Sequence, residues 1–407
     1  MAQLGYDIVI VGGGHAAAKA AAGARQVNQG ATIAILGEEP HLPYERPLLS
    51  KAGLKTPALL ASHRKHDALY YSANRIDLRL GNRADRLDGR RRWISLASGD
   101  RVRYERLIVA TGSRLRHLDA CRGFANIFYL RTLDEAKTLG ERLRPGARLG
   151  VIGGGLIGME VAATANALGA KVIVFEAAAS VMSRVLPPVL AKFIQNHHES
   201  KGIRFRLNTP PSNFLTSPTG ELVVKVGPEE ETFDSVLVGI GAIPNTEIVA
   251  SSDVDSDDGI RVDKCGRTSD ANIFAAGEVT RHPIAGSSQA VRREAWQVAE
   301  YQAVCAGRTA GGVPTEFVEI PWVWSDQGAL NVQILGTIPS DGEWTIRGES
   351  ETPSFSALVR RAEVIVGMVA INGGRDISVA RKLIMSKARV PSARLSDVSI
   401  PLGAFLR

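Results

Sequence analysis

Two stretches of the chain repeat the same order of apolar and small residues. In the first, an apolar run at residues 7–11 passes into three consecutive glycines and then into an alanine-rich run at 18–24. In the second, residues 148–152 pass into three more glycines and an apolar run at 159–168. Each pattern predicts a buried strand, a tight turn and a helix that packs on the strand.

The spacing of the small residues in both turns is typical of a dinucleotide site. Gly12 and Gly153 allow the sharp turn, while Gly14 and Gly155 let the backbone approach a pyrophosphate. The third small residue, Ala17 or Gly158, keeps the helix close to the sheet. One such turn also occurs for packing reasons alone, but two complete copies indicate two dinucleotides, usually a flavin and a nicotinamide. The predicted cofactors are therefore a flavin dinucleotide and a nicotinamide dinucleotide.

Other residues of the two turns are predicted to line the same cofactors. His15 and Ala16 continue the first turn, and we assign no chemistry to the His15 side chain. Leu156 and Ile157 continue the second turn. An acid follows the next strand in each copy, Glu38 after residues 32–36 and Glu176 after 171–175; an acid at this place binds ribose hydroxyls and repels the 2′-phosphate of NADP.

The remaining pattern predicts how the chain is divided. Short strands fill residues 76–109 and end in the small residues Ala110, Thr111 and Gly112; residues 236–245, which contain Gly241, have the same shape. These two segments are interpreted as the crossings into and out of an inserted domain. We predict an α/β fold with a flavin domain at 1–112 and 239–317, a nicotinamide domain at 113–238 and a C-terminal α+β domain at 318–407.

Composition and charge narrow the class of protein. The 407 residues include 44% hydrophobic and 22% charged ones, with no run long enough to span a membrane and no signal peptide, so a cytoplasmic location is expected. Residues 1–112 carry 17 Lys and Arg against 10 Asp and Glu. This excess is either a solvated face or a surface that steers an acidic protein; nucleic acid is not expected, because no recognition motif accompanies the charge.

The three cysteines, Cys121, Cys265 and Cys305, are far apart in the sequence. Their spacing argues against a disulfide framework, an iron–sulfur cluster held by this chain or a zinc site, so no metal is predicted. Free thiols are the favoured interpretation.

Several polar residues are candidates for the flavin site. Arg46 and Lys51 lie in a proline-rich loop, where the alternative is ordinary surface charge. Glu278 follows an apolar strand, residues 272–277, and either binds a cofactor hydroxyl or is a helix-capping acid. A helix is predicted from about residue 289. Trp322 and Trp324 point the same way along a strand, for which core packing is the simplest explanation.

The chain resembles the FAD-dependent NADH:ferredoxin reductases of bacterial aromatic-ring dioxygenase and cytochrome P450 systems, which include putidaredoxin reductase. The similarity covers nearly the whole chain, and the segments that carry it most specifically are residues 41–51, 184–188, 239–245 and 322–327. The resemblance implies a glutathione-reductase-like fold. Oligomer formation is left open.

The resemblance also implies roles for individual residues. Arg46, Lys51, Glu278, Trp296 and Trp324 would contact FAD, with Lys51 near the reactive ring and paired to Glu160, so that Lys51 and Glu160 are the catalytic candidates. This suits Glu160, a lone carboxylate in an otherwise apolar helix that needs a partner. Gly153, Gly155, Gly158, Glu176 and Arg184 would hold NADH. The family usually has Asp at the position of Glu278, and the longer side chain puts that contact in doubt.

The positions of the cysteines distinguish this chain from other enzyme classes of the same fold. Disulfide reductases need a paired cysteine motif and NADH peroxidases a cysteine near position 42, where this chain has Leu42, Pro43 and Tyr44. Electrons are therefore expected to leave the flavin singly, to a small acidic [2Fe-2S] ferredoxin. The alternatives are rubredoxin or a quinone-like acceptor, and, from another class, an NADH- and FAD-sensing interaction protein similar to apoptosis-inducing factor.

Overall fold

The computed structural model describes residues 4–56, 58–284, 290–349, 352 and 354–406. The chain forms two compact units. The first unit comprises Met1–Pro47, Leu59–Arg114 and Ala242–Glu319, and the second unit comprises Leu48–Ala58, Leu115–Gly241 and Ile320–Arg407.

The strands and helices follow in chain order. The strands of residues 4–244 are β1 (Leu4–Val11), β2 (Ile33–Leu36), β3 (Ile76–Arg79), β4 (Ala84–Asp88), β5 (Trp93–Leu96), β6 (Arg101–Val109), β7 (Ser113–Leu115), β8 (Ile127–Phe128), β9 (Arg148–Ile152), β10 (Lys171–Glu176), β11 (Arg204–Leu207), β12 (Asn213–Thr216), β13 (Leu222–Val226), β14 (Glu229–Phe233), β15 (Ser235–Val238) and β16 (Ala242–Pro244). The later strands are β17 (Ser256–Asp257), β18 (Gly259–Arg261), β19 (Ile273–Ala275), β20 (Thr280–Pro283), β21 (Ala290–Arg292), β22 (Trp322–Gln327), β23 (Leu330–Gly336), β24 (Glu343–Arg347), β25 (Phe355–Arg361) and β26 (Val364–Ile371). The α-helices are α1 (His15–Val27), α2 (Ala52–Lys55), α3 (Ala58–Ser62), α4 (Ala68–Ala73), α5 (Leu133–Gly140), α6 (Leu156–Ala167), α7 (Pro188–Ser200), α8 (Ala303–Ala310), α9 (Ile377–Met385) and α10 (Ser392–Ser396).

The first unit is built on a sheet in the order β3-β2-β1-β6-β5-β4, with β19 also paired to β6. The strands β1, β2, β3, β6 and β19 run parallel, and β4, β5 and β6 form an antiparallel meander. Fully buried aliphatic residues such as Ile10 and Ile35 fill the core beside α1 and α8. Because the parallel strands end at one edge, their following loops meet there, which is where this fold class binds ligands.

The second unit contains a parallel sheet and two antiparallel sheets. The parallel sheet has the order β11-β10-β9-β15-β8. The larger antiparallel sheet has the order β22-β23-β26-β25-β24, and the smaller one has the order β12-β13-β14. The C-terminal α+β region is therefore present as the sequence pattern predicts. One buried cluster joins Met159 and Leu190 to Val332 and Val369, so the region after residue 320 shares a core with residues 115–241.

Two features differ from the sequence-based expectations. Residues 48–58, predicted with the flavin domain, belong to the second unit. The helix expected from about residue 289 begins later: Gln289 itself lies outside the described residues, β21 pairs with β20, and a π-helical turn, Val298–Gln302, leads into α8. The functional domains assigned from the sequence stay a prediction.

Candidate functional site

The first glycine turn joins β1 to α1. Gly12 has a φ of +123°, and a Cβ placed on it would lie 2.1 Å from the carbonyl oxygen of Ala110. A Cβ on Gly14 would instead lie 3.8 Å from Nη2 of Arg46, its nearest neighbour. Only glycine fits at position 12, and the open backbone at Gly14 faces the guanidinium of Arg46. This arrangement can hold a phosphate between helix α1 and a positive charge.

The loops after β6 and β19 lie beside this turn. The amide of Ala110 donates to the carbonyl of Val11 at 2.7 Å, and the Thr111 hydroxyl donates to the carbonyl of Asn245 at 2.7 Å. Gly277, with a φ of +82°, approaches Ala16 so closely that a Cβ on it would lie 2.9 Å from the Cβ of Ala16. The predicted residues Ala16, Ala110, Thr111, and Glu278 next to Gly277, are thus brought together in the first unit.

The Arg46 guanidinium has a carboxylate partner that the sequence reasoning missed. Its Nη2 lies 2.7 Å from Oε1 of Glu39, and the Tyr44 hydroxyl donates to the same carboxylate at 2.6 Å. Burial alone would lower the pKa of Arg46, but the charges of Tyr44, Glu39 and Glu278 outweigh it and raise the pKa. The predicted acid Glu38 is exposed. The sequence feature that could have pointed to Glu39 is its position next to Glu38.

A second cluster in the first unit surrounds Glu300. Its carboxylate accepts from Nε2 of His15 at 2.5 Å, Nζ of Lys19 at 2.5 Å and Nζ of Lys65 at 3.0 Å. The Trp296 ring lies next to this cluster, 5.5 Å from the ring centroid of His15 and 5.6 Å from Nζ of Lys65. His15 is therefore buried on the protein side of the turn and does not face solvent, so its side chain supports the turn and Trp296.

The second glycine turn joins β9 to α6 and copies the geometry of the first. Gly153 has a φ of +103°, and a Cβ on it would lie 2.4 Å from the carbonyl oxygen of Gly239. A Cβ on Gly158 would lie 2.0 Å from the carbonyl oxygen of Gly153, so the helix touches the turn. Of the other predicted residues, Leu156 is half-buried and Ile157 is exposed at the start of α6.

Charged groups flank this second turn. The carboxylate of Glu176 accepts from the amides of Gly154 at 2.7 Å and Ala178 at 2.8 Å, which fixes it at the end of β10. The Arg184 guanidinium lies between two loops, 3.9 Å from a Cβ placed on Gly155 and 3.8 Å from one on Gly241. Among the described residues Arg184 has no carboxylate partner. It is available for an anionic ligand.

The predicted pair of Lys51 and Glu160 is present within the second unit. Lys51 Nζ lies 3.4 Å from Glu160 Oε1 and 3.1 Å from Asp326 Oδ2, and it lies 5.6 Å from the ring centroid of Trp324. Trp324 and Trp322 stack with their centroids 4.9 Å apart and are half-buried, and Trp322 also packs against a buried cluster of the C-terminal region, as the core-packing explanation expects. The sequence analysis did not identify Asp326 as a site residue, although Asp326 lies in the same motif as Trp324.

Glu160, which is buried, and Glu300, which is half-buried, have pKa shifts in opposite directions. Burial raises the pKa of Glu160 in spite of Lys51 and the hydroxyls of Ser50 and Ser325, which donate to it. Burial acts in the same direction on Glu300, but the hydrogen bonds from His15, Lys19 and Lys65 outweigh it and lower that pKa. The donors to Glu160 are one lysine and two neutral hydroxyls, whereas the donors to Glu300 are two lysines and a histidine, so Glu300 is the better stabilised in its charged form.

The residues present fit two dinucleotides. Each turn forms a cradle that a side chain at Gly12 or Gly153 would fill, each is followed by a helix without an acidic residue in its first turn, and each faces an arginine. The three cysteines are free, and burial raises the pKa of Cys121 to about 11. Among the residues that the structure describes, no cluster suits a metal ion and no helix is long and apolar enough to cross a membrane.

Comparisons with known proteins agree with this geometry. Residues 6–303 match the pyridine nucleotide-disulphide oxidoreductase family, and residues 322–406 match the reductase C-terminal domain. The chain is 38% identical over 402 residues to the anthranilate 1,2-dioxygenase system ferredoxin–NAD(+) reductase component of Burkholderia cepacia, and the match covers 98% of each chain.

Two solved structures are also similar over their full length. One is the ferredoxin reductase for the CYP199A2 system from Rhodopseudomonas palustris, with a TM-score of 0.92 and 34% identity over 97% of this chain and 98% of that one. The other is the covalent putidaredoxin reductase–putidaredoxin complex, with a TM-score of 0.94 and 30% identity over 100% of this chain and 99% of that one. These matches confirm the resemblance and the fold class drawn from the sequence motifs. The chain belongs to the pyridine nucleotide-disulphide oxidoreductase family and carries its reductase C-terminal domain.

Proposed function

We propose that this protein is an NADH:ferredoxin oxidoreductase that passes electrons from NADH through FAD to a small [2Fe-2S] ferredoxin serving an aromatic-ring dioxygenase or a cytochrome P450. The observation that carries the proposal is the full-length similarity to a ferredoxin–NAD(+) reductase component. When bound, FAD supplies the chemistry, because it takes up an electron pair and releases single electrons.

The residues of the first unit would hold FAD. The turn at Gly12 and Gly14, with His15 and Ala16, would bind the pyrophosphate together with Arg46, while Glu38 and Glu278 would bind hydroxyls of the ribose and the ribityl chain. Trp296 and the loop of Ala110, Thr111 and Gly112 would line the same site. These roles rest on the family resemblance and on the cradle at Gly12.

The residues of the second unit would hold NADH and support the reaction. Gly153, Gly155, Leu156, Ile157 and Gly158 would bind the pyrophosphate, with Arg184 and Gly241 beside it, and Glu176 would bind the ribose hydroxyls. The fixed charge of Lys51, held by Glu160 and Asp326, would polarise the flavin, and Trp324 would shield it from water. No residue is required to move a proton as a general acid or base.

The absence of a nearby thiol pair supports a one-electron acceptor. The stretch at Leu42–Tyr44, where related peroxidases carry a cysteine, has none, and Cys121 is buried. We also propose a cytoplasmic location, because NADH is regenerated there and the free thiols suit a reducing compartment.

Anaerobic stopped-flow mixing tests the function. The protein is mixed with NADH and then with oxidised [2Fe-2S] ferredoxin. We expect fast bleaching of the flavin absorbance followed by fast reduction of the ferredoxin. Bleaching without transfer to any iron–sulfur protein would move the acceptor to rubredoxin or a quinone. Slow bleaching, with an oligomeric state that changes with NADH, would favour a sensing protein.

A further inference from the structure

A chain of buried polar groups leads from helix α7 to the Lys51–Glu160 pair. His198 of α7 is 2% exposed, and Gln327 and Ser325 of β22 are both 0% exposed. Nε2 of His198 lies 3.0 Å from Oε1 of Gln327, Nε2 of Gln327 lies 3.1 Å from Oγ of Ser325, and that hydroxyl lies 2.8 Å from Oε1 of Glu160. All four residues belong to the second unit. Excluded from water, these groups have to satisfy one another.

The hydrogen bonds of this chain run in one direction. The amide oxygen of Gln327 can only accept, so Nε2 of His198 has to carry the hydrogen. The amide nitrogen of Gln327 then donates to Ser325, and also lies 3.2 Å from the sulfur of Met182, a weak acceptor. Because Ser325 accepts from Gln327, its single hydrogen is left for the carboxylate of Glu160, to which it donates.

If the hydrogen bonds ran in the opposite direction, Glu160 would lose the hydroxyl donor of Ser325. If His198 carried its hydrogen on the other ring nitrogen, the Gln327 amide would turn its oxygen toward Ser325, and the hydroxyl would point away from Glu160. Burial already raises the pKa of Glu160, so a lost donor favours its protonated form. A protonated Glu160 would no longer hold Lys51.

We propose that His198 is a positioning residue for the Lys51–Glu160 pair: through Gln327 and Ser325 it directs a hydroxyl donor at Glu160 and so keeps that carboxylate ionised beside Lys51. The inference rests on the proposed function, because Lys51 matters to the reaction only if the protein reduces its flavin with NADH.

The first experiment compares His198→Leu, which removes the donor, with His198→Gln, whose amide can replace Nε2–H. We expect flavin bleaching by NADH to slow about tenfold or more in His198→Leu, the scale of one hydrogen bond to a charged group. The flavin midpoint potential should shift in the same variant, and both quantities should return toward wild type in His198→Gln. His282→Leu, which removes an equally buried histidine from the first unit, is the matched control and should leave both unchanged.

The second experiment separates positioning from a merely structural effect. Ser325→Ala should slow bleaching by a similar factor, and the double variant with His198→Leu should be no slower than either single one, because both remove the same donor. If His198→Leu does not fold, Gln327→Met takes its place. Wild-type rates in His198→Leu, a failed rescue by His198→Gln, or effects that multiply in the double variant would overturn the inference.

One measurement is independent of turnover. Nitrogen-15 NMR of the purified protein, with His198→Gln to assign the signal, should show a neutral His198 protonated at Nε2. A hydrogen on Nδ1 would overturn the inference even in an active enzyme. If NADH failed to bleach the flavin of the wild type, the proposed function would be refuted, whereas the NMR result on His198 would not be affected.

Discussion

The two glycine turns have nearly the same backbone and differ in the charges around them. Cβ atoms placed on Gly12 and Gly153 would lie 2.1 and 2.4 Å from a carbonyl oxygen of the neighbouring loop. Arg46 and Arg184 face the middle glycines at nearly equal distances. Arg46, however, is paired with Glu39 at 2.7 Å, whereas Arg184 has no carboxylate partner among the described residues.

This difference in charge suits the two ligands proposed for the turns, FAD at the first and NADH at the second. A neutralised, hydrogen-bonded arginine is already fixed in place, which suits a cofactor that stays bound. An arginine without a carboxylate takes its counter-charge from solvent or from the ligand, which suits a substrate that comes and goes. The acids differ as well: Glu176 is fixed by two backbone amides, while Glu38 is exposed.

The largest expected effect is the loss of FAD when a side chain is placed at Gly12 in the first glycine turn. Gly12→Ala combines a φ of +123° with a carbonyl oxygen 2.1 Å from the new Cβ, which costs roughly 3 kcal/mol or more. We expect the purified protein to contain less than about one tenth of the wild-type FAD, measured as flavin absorbance per chain. Gly99→Ala is the control, because Gly99 has a φ of +88° but open space around it; equal losses in both variants would contradict the role of crowding.

The buried histidines of the two units allow a comparison of their acid stability. Burial lowers the pKa of His282 in the first unit and of His198 in the second from 6.5 to about 4. Between about pH 6.5 and pH 4 each histidine is protonated in the unfolded chain but neutral in the folded one. The free energy of unfolding therefore falls as the pH drops through this range, by about 3 kcal/mol for each histidine.

Replacing either histidine by glutamine should remove its share of this pH dependence. The measurement is the free energy of unfolding in urea at pH 7 and pH 4.5, compared between each variant and the wild type. If the two variants keep the full wild-type difference, other groups such as Glu300 govern acid unfolding.

A smaller effect is expected on cofactor choice. Glu176→Gln removes the negative charge that repels a 2′-phosphate, so the ratio of kcat/KM for NADPH to that for NADH should rise about tenfold. Glu38→Gln, the matched change at the corresponding position of the first unit, should leave the ratio unchanged. A wild type that already uses both cofactors equally would show that Glu176 has no such role.

The smallest effect concerns the surface. The meander β4–β6 carries seven arginines and four acidic residues at positions 84–109, and Arg91 is 81% exposed. Changing Arg91 and Arg92 to Glu should slow ferredoxin reduction a few-fold at low salt while flavin bleaching by NADH stays the same. An unchanged rate would exclude this face as the docking surface.

The local parts of the fold could be predicted because their causes are local. The strand, glycine turn and helix at residues 4–27 and 148–167 follow from hydrophobic periodicity and from the conformations open to glycine, which depend on neighbouring residues only. The helix expected from residue 289 was wrong for a non-local reason, since residues 290–292 pair with β20.

The sequence by itself determined the two glycine turns, the C-terminal α+β region and the need of Glu160 for a partner, because a lone carboxylate in an apolar helix is costly to bury. That this partner is Lys51 was implied by the family resemblance. Only the tertiary structure decided that Glu39 pairs with Arg46, and that residues 48–58 belong to the second unit. It also decided that His198 is connected to Glu160 through Gln327 and Ser325. The physical reason is that a buried polar group pairs with the hydrogen-bonding partner that folding brings next to it, which the sequence order does not reveal. His198 and Gln327, for example, are 129 positions apart in the sequence.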